Sequence, residues 1–174
     1  MFYVIRSVLD ILTFPGVIIH EWSHKFFCNY FGVQVYKVKY FQFGKREAGY
    51  VTHEPARKFW QTFWISSGPI FINTLFALIL SAVVFSIDGN IYDIKHIVLY
   101  WLAFSVGCHS FPSDADAGVV LEYSKNQIRN HFAIWHILTY PFFWVIYLLN
   151  FLRKFGFDYI YSVFLIFLAG GYIF

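Results

Sequence analysis

Two histidines four residues apart with a glutamate beside the first, His20-Glu21-Trp22-Ser23-His24, are the residues of this chain best spaced to do chemistry. On a helix, positions i and i+4 share a face, so both imidazoles reach one point and can hold one Zn²⁺. Glu21 lies about 100° round the same helix. From there its carboxylate can take a proton from a water beside the metal. A chain with this His and Glu content contains about 0.006 such pentads by chance, so the spacing is informative. The flanking residues, Phe14-Pro15-Gly16-Val17-Ile18-Ile19 and Lys25-Phe26-Phe27-Cys28, are mostly apolar. Ionisable groups inside an apolar segment mark function by default.

A catalytic zinc site takes three protein ligands and leaves a position for water. The natural source of the third is Cys108-His109-Ser110-Phe111-Pro112-Ser113-Asp114-Ala115-Asp116, where two carboxylates follow an apolar run. Either Asp114 or Asp116 fits that need. Asn73, downstream of Ser66-Ser67-Gly68-Pro69 in another apolar run, can donate to a reacting oxygen or tie helices together. Cys28 and Cys108 give no disulfide framework and read as buried thiols. His131 and His136 are five apart, so they do not share a helical face and read as structural.

These residues must be positioned by an unusually apolar chain. Hydrophobic residues make up 59% and charged residues 13%, against roughly 45–50% and 25% in ordinary globular proteins. One soluble domain of this length cannot hide that much apolar surface. The expected fold is therefore a single all-α polytopic membrane domain over residues 1–174. About five transmembrane helices are expected, over 2–31 (with Pro15-Gly16 kinking it or beginning its second half), 59–87, 94–111, 132–152 and 157–174. The first segment carries Asp10 and the pentad with no small-residue cleavage site ahead of them, and reads as mature protein. Residues 33–53, β-branched and aromatic around Gly44-Lys45-Arg46-Glu47-Ala48-Gly49, predict a small β-hairpin at the membrane surface. The segment from Pro112 to Gly118 reads as a loop, and Glu122 to His131 as solvent-facing.

A net charge of +3 gives no reason to expect a nucleic-acid partner; basic residues here report topology instead. Lys37, Lys39, Lys45, Arg46, Arg57, Lys58, Lys125 and Arg129 fall on one side of the five expected crossings. Arg6, Lys95, Arg153 and Lys154 fall on the other. The hairpin and the Asp116 segment are thus expected at the cytoplasmic face of a cell membrane.

In order along the chain, the pentad, the hairpin, Gly68-Pro69 with Asn73, and Pro112 followed by Asp116 resemble the site-2 protease family of intramembrane zinc metalloproteases, in its small prokaryotic form. The resemblance covers about residues 10–122, with two further helices over about 132–174. It implies a metalloendopeptidase that hydrolyses peptide bonds of membrane proteins or peptides, with one Zn²⁺ per chain. His20 and His24 match the family's histidine ligands and Glu21 its general base. Asp116-Ala117-Gly118-Val119-Val120-Leu121 best echoes the family's aspartate segment, which makes Asp116 the third ligand ahead of Asp114. His109 stands where the family has an asparagine, so His109 or Asn73 is expected to stabilise the oxyanion. The competing expectation is a proteolytically inactive membrane metalloprotein with a structural or partner-binding role.

Overall fold

The computed structural model describes residues 2–45, 47–90, 92–130 and 134–171. Among these it is mostly helical, with one small antiparallel sheet. The order is α1 Phe2–Leu12, α2 Phe14–Tyr30, β1 Val35–Lys39, β2 Tyr50–His53, α3 Phe59–Ser86, α4 Ile94–Cys108, α5 Asp114–Asn130, α6 Ile134–Arg153 and α7 Phe157–Gly171. His131 lies outside the described residues, as does the side chain of His136.

Helix α3 is the ruler of the bundle. Its 28 residues extend about 42 Å at 1.5 Å per residue, and its partners succeed one another along that length. Near its start, Phe59 and Phe63 pack with Val120 of α5 and with Phe143 and Ile146 of α6. In its middle, Asn73 donates to the Val106 and His109 carbonyls, and Thr74 meets the Tyr161 hydroxyl. Further on, Ala77 packs with Val106 and Leu165. Near its end, Phe85 lies against Tyr100 and Gly170. Numbers on α4 and α5 therefore fall as those on α3 rise, while those on α6 and α7 rise with them. Helices α4 and α5 form one interrupted column antiparallel to α3, and α6 and α7 form a second, parallel to it.

This layout corrects the expected one. Segments 132–152 and 157–174, read as two crossings, are halves of one column. The stretch after Pro112, read as a loop, is helix α5, on which Glu122, Lys125 and Asn126 are exposed as expected. Both interruptions sit at one level because they dock on each other: Asn150 donates to the Pro112 carbonyl at 3.3 Å, and Lys154 lies 3.4 Å from Asp114. Had α6 crossed a bilayer away from Asp114, Lys154 would lie about 30 Å from it. Arg6 and Arg153, counted as basic residues on one side of the crossings, converge on the fully buried Asp158, at 2.6 and 3.8 Å.

The first segment breaks at Thr13, and Pro15-Gly16 open its second half, as one of the two expectations had it. The Thr13 hydroxyl donates back to the Leu9 carbonyl. Ser105 Oγ donates to the Thr13 carbonyl at 2.8 Å and accepts the Gly16 N–H at 2.9 Å. Pro15 then falls in the first turn of α2, where a missing N–H leaves no helical bond unmade. A Cβ on Gly16 would strike the Ser105 carbonyl, so glycine is what lets α2 touch α4.

The hairpin forms as expected, with Lys39 opposite Tyr50, Val38 opposite Val51, and an irregularity between Val35 and Lys37. Gln42 N–H extends the pairing to the Ala48 carbonyl.

Polarity is distributed inside out. Phe71, Leu75, Ile79 and Val83 of α3 and Ile160, Phe164 and Phe167 of α7 face outward, while Ser66, Asn73, Ser81, Ser105, Asp158 and Ser162 are buried. Among the described residues one helix, Phe59–Ser86, is long and apolar enough to cross a membrane; Ile94–Cys108 and Phe157–Gly170 are apolar but shorter.

Candidate metal centre

Helix α2 presents His20, Glu21 and His24 on its buried side, at 5%, 7% and 6% exposure. His20 Nδ1 donates to the His109 carbonyl and His24 Nδ1 to the Ile65 carbonyl, each at 2.7 Å. A carbonyl only accepts, so each ring carries a proton on Nδ1, and in its neutral form it presents a lone pair at Nε2. The two Nε2 atoms lie 3.1 Å apart. Between two neutral rings of this tautomer, that approach is not a hydrogen bond. Asp116 brings Oδ1 to 3.1 Å from His24 Nε2 and Oδ2 to 3.5 Å from His20 Nε2.

Three electron-pair donors facing one buried point repel one another unless a positive charge lies among them. Four-coordinate zinc with bonds of about 2.0–2.1 Å spaces its ligand atoms about 3.3 Å apart. The spacing, the two imidazoles and the carboxylate all fit a divalent cation of that kind.

The third donor is held by its own helix end. Ser113 N–H donates to Asp116 Oδ2 at 2.6 Å, and Asp116 N–H donates to Ser113 Oγ at 3.2 Å. This is a reciprocal capping box with the aspartate at the third helical position. Asp114 is engaged elsewhere, accepting from Asn150 Nδ2 at 3.0 Å beside Lys154. Of the two candidate aspartates, Asp116 joins the histidines and Asp114 does not.

Glu21 lies under the hairpin. A Cβ on Gly49 would sit 2.6 Å from Glu21 Cγ, 3.1 Å from its carboxyl carbon and 2.9 Å from the Tyr40 carbonyl. The φ of Gly49 is not positive, so its smallness serves this contact rather than the turn.

The two residues expected to stabilise an oxyanion have their N–H groups engaged elsewhere. The Thr13 hydroxyl proton goes to Leu9, so Thr13 Oγ1 accepts from His109 Nε2 at 2.8 Å. The His109 backbone carbonyl, not its ring, is what reaches His20. Asn73 Nδ2 donates to the Gly16, Val106 and His109 carbonyls at 3.2 Å each, joining α2, α3 and α4. Both residues act here on the placing of His20.

Sequence reasoning passed over the Ile65 and His109 carbonyls, Ser113, Asn150 and Gly49. A backbone acceptor has no residue signature. The Ser-x-x-Asp capping pattern at 113–116 and a lone Asn inside the apolar Tyr147-Leu148-Leu149-Asn150-Phe151-Leu152 run were readable signals.

Comparison of this chain with family models, curated proteins and solved structures returns no match.

Proposed function

We propose that this chain is a zinc-dependent intramembrane endopeptidase acting on membrane proteins or membrane-associated peptides. The observation that carries the reading is the convergence of His20 Nε2, His24 Nε2 and an Asp116 carboxylate oxygen at 3.1–3.5 Å, with each histidine tautomer set by a backbone carbonyl. His20, His24 and Asp116 would hold the ion. When bound, zinc acidifies water and polarises a carbonyl. Glu21 accepts the proton of the attacking water and returns it to the leaving amine as the peptide C–N bond breaks and the new C–O bond forms. Burial of the four side chains keeps bulk water from competing for these charges.

The bilayer setting rests on the inside-out surface. Rows of outward Phe, Leu and Ile over a core that mixes apolar residues with Ser, Asn and Asp suit lipid and not water. We read α3 and the two interrupted columns as membrane-embedded, making this a multi-pass protein of the cell membrane. Lys37, Lys39, Lys45, Arg57, Lys58 and Lys125 lie toward the hairpin end, against Lys95 at the opposite end. That imbalance puts the hairpin and the active site toward the cytoplasm. Substrate and lipid are the partners this reading names; nucleic acid is not among them.

A proteolytically inactive metalloprotein is favoured by one observation, the engagement of both His109 and Asn73 in structural hydrogen bonds. Glu21→Gln separates the two. Purified in lipid, a protease keeps one zinc per chain in this variant and loses cleavage of a membrane-peptide library, whereas an inactive metalloprotein cleaves nothing in either form.

A further inference from the structure

The two carbonyls that hold the imidazoles share an origin. In an α-helix the carbonyl of residue i accepts the N–H of residue i+4. For Ile65 that partner is position 69, a proline inside α3, which has no N–H to give. The orphaned Ile65 carbonyl is the one that accepts His24 Nδ1 at 2.7 Å. At the other histidine, His109 caps α4. Its i+3 neighbour is Pro112, and its i+4 neighbour, Ser113, donates its N–H to Asp116 instead. The His109 carbonyl accepts His20 Nδ1 at 2.7 Å and Asn73 Nδ2 at 3.2 Å.

Access follows the same logic. A helical carbonyl already bonded along the axis offers an imidazole from a neighbouring helix a second-rate acceptor. The donor helix must also come close. Gly68, beside Pro69, provides that approach, because a Cβ there would run into the Phe27 ring of α2.

We infer that Pro69 and Pro112 are positioning residues: each withholds a backbone N–H, leaving a carbonyl that fixes the tautomer and aim of one histidine ligand, Pro69 for His24 and Pro112 for His20. The inference rests on reading His20, His24 and Asp116 as a metal site. It also explains why a proline is kept in the interior of the longest helix, where it is the least favourable residue.

The test is Pro69→Ala in the full chain in lipid nanodiscs, read three ways. Alanine restores an N–H that competes for the Ile65 carbonyl. The metal-free variant melts at the same temperature as wild type or higher. Its zinc dissociation constant, measured by chelator competition, rises 10–100-fold, the usual effect of losing a ligand's orienting partner. In ¹⁵N spectra of the metal-free protein, His24 loses its fixed Nδ1 proton. Pro112→Ala produces the same changes at His20, and carries the test alone if Pro69→Ala does not fold. Unchanged zinc affinity together with an unchanged histidine tautomer would overturn the inference. If wild type binds no zinc, the metal-site reading fails, while the tautomer spectra of the metal-free proteins still decide what the prolines do.

Discussion

The two halves of the candidate centre are built by different means. His20 and His24 come from one helix, and their spacing is a property of any α-helix. Asp116 arrives from far down the chain and is held in layers. Its carboxylate is fixed by Ser113, and the turn before it is fastened by Asn150 through Pro112 and Asp114. Lys154 adds a charge to the same turn. The first half takes its spacing from α2 alone and only the aim of its rings from α3 and α4. The second exists only while the α6–α7 column is docked on the α4–α5 column. A carboxylate brought by tertiary structure makes metal affinity a report on the assembled bundle.

The largest effects break the comparison at the ligands. His20→Ala and Asp116→Ala each lose the bound equivalent of zinc in elemental analysis, while Asp114→Ala keeps it. The reverse outcome for the two aspartates would move the third ligand to Asp114 and dissolve the distinction between the halves. Metal-free His20→Ala melts close to wild type, because α2 keeps its packing. Asp116→Ala melts lower, because the start of α5 loses one side of its capping box.

What was legible in the sequence follows the same division. The pentad, the hairpin, the long second apolar helix and the membership of Asp116 in the cluster were readable from periodicity, turn residues and motif order. Pro15-Gly16 also marked a restart of the first segment, but not the contact that holds the break at Thr13, because Ser105 makes it from another helix. The pairing of α6 and α7 into one column was also hidden. Each half is apolar and long enough to suggest its own crossing, and what joins them is a contact between Asn150 and Pro112. Likewise Arg6 and Arg153 read as markers of topology until Asp158 is seen to gather them. Local patterns report elements; the donors and acceptors that dock one element on another report only in three dimensions.

Intermediate effects sharpen the comparison at the fastening. Asn150→Leu keeps the branched heavy-atom skeleton and removes both hydrogen bonds to the Pro112–Asp114 turn. Zinc affinity falls by about 10-fold, at the lower end for loss of an outer partner. Lys154→Gln, whose partner is half open to solvent, changes affinity by less than about twofold, as exposed ion pairs contribute little. Equal affinities for wild type and Asn150→Leu in chelator competition would show that Asp116 needs no help from α6.

The smallest effect is the most discriminating, because it sets two serines against each other. Ser23 lies within the pentad, is fully buried, and donates to the His20 carbonyl one turn back at 2.8 Å. Ser113 sits outside the cluster and caps α5 around Asp116. Proximity in sequence to the histidines would make Ser23 the more important of the two. The division between the halves predicts the opposite. Ser23→Ala removes a bond that the helix backbone does not need, and zinc affinity stays within about twofold of wild type. Ser113→Ala removes a cap at about 1 kcal/mol of stability and frees the Asp116 N–H that helped set its carboxylate, so affinity drops a further few-fold beyond the shift of Ser23→Ala. Both variants, titrated against the same chelator and melted without metal, give the answer side by side. A larger loss for Ser23→Ala than for Ser113→Ala would mean that the histidine half, not the aspartate half, is the one under strain.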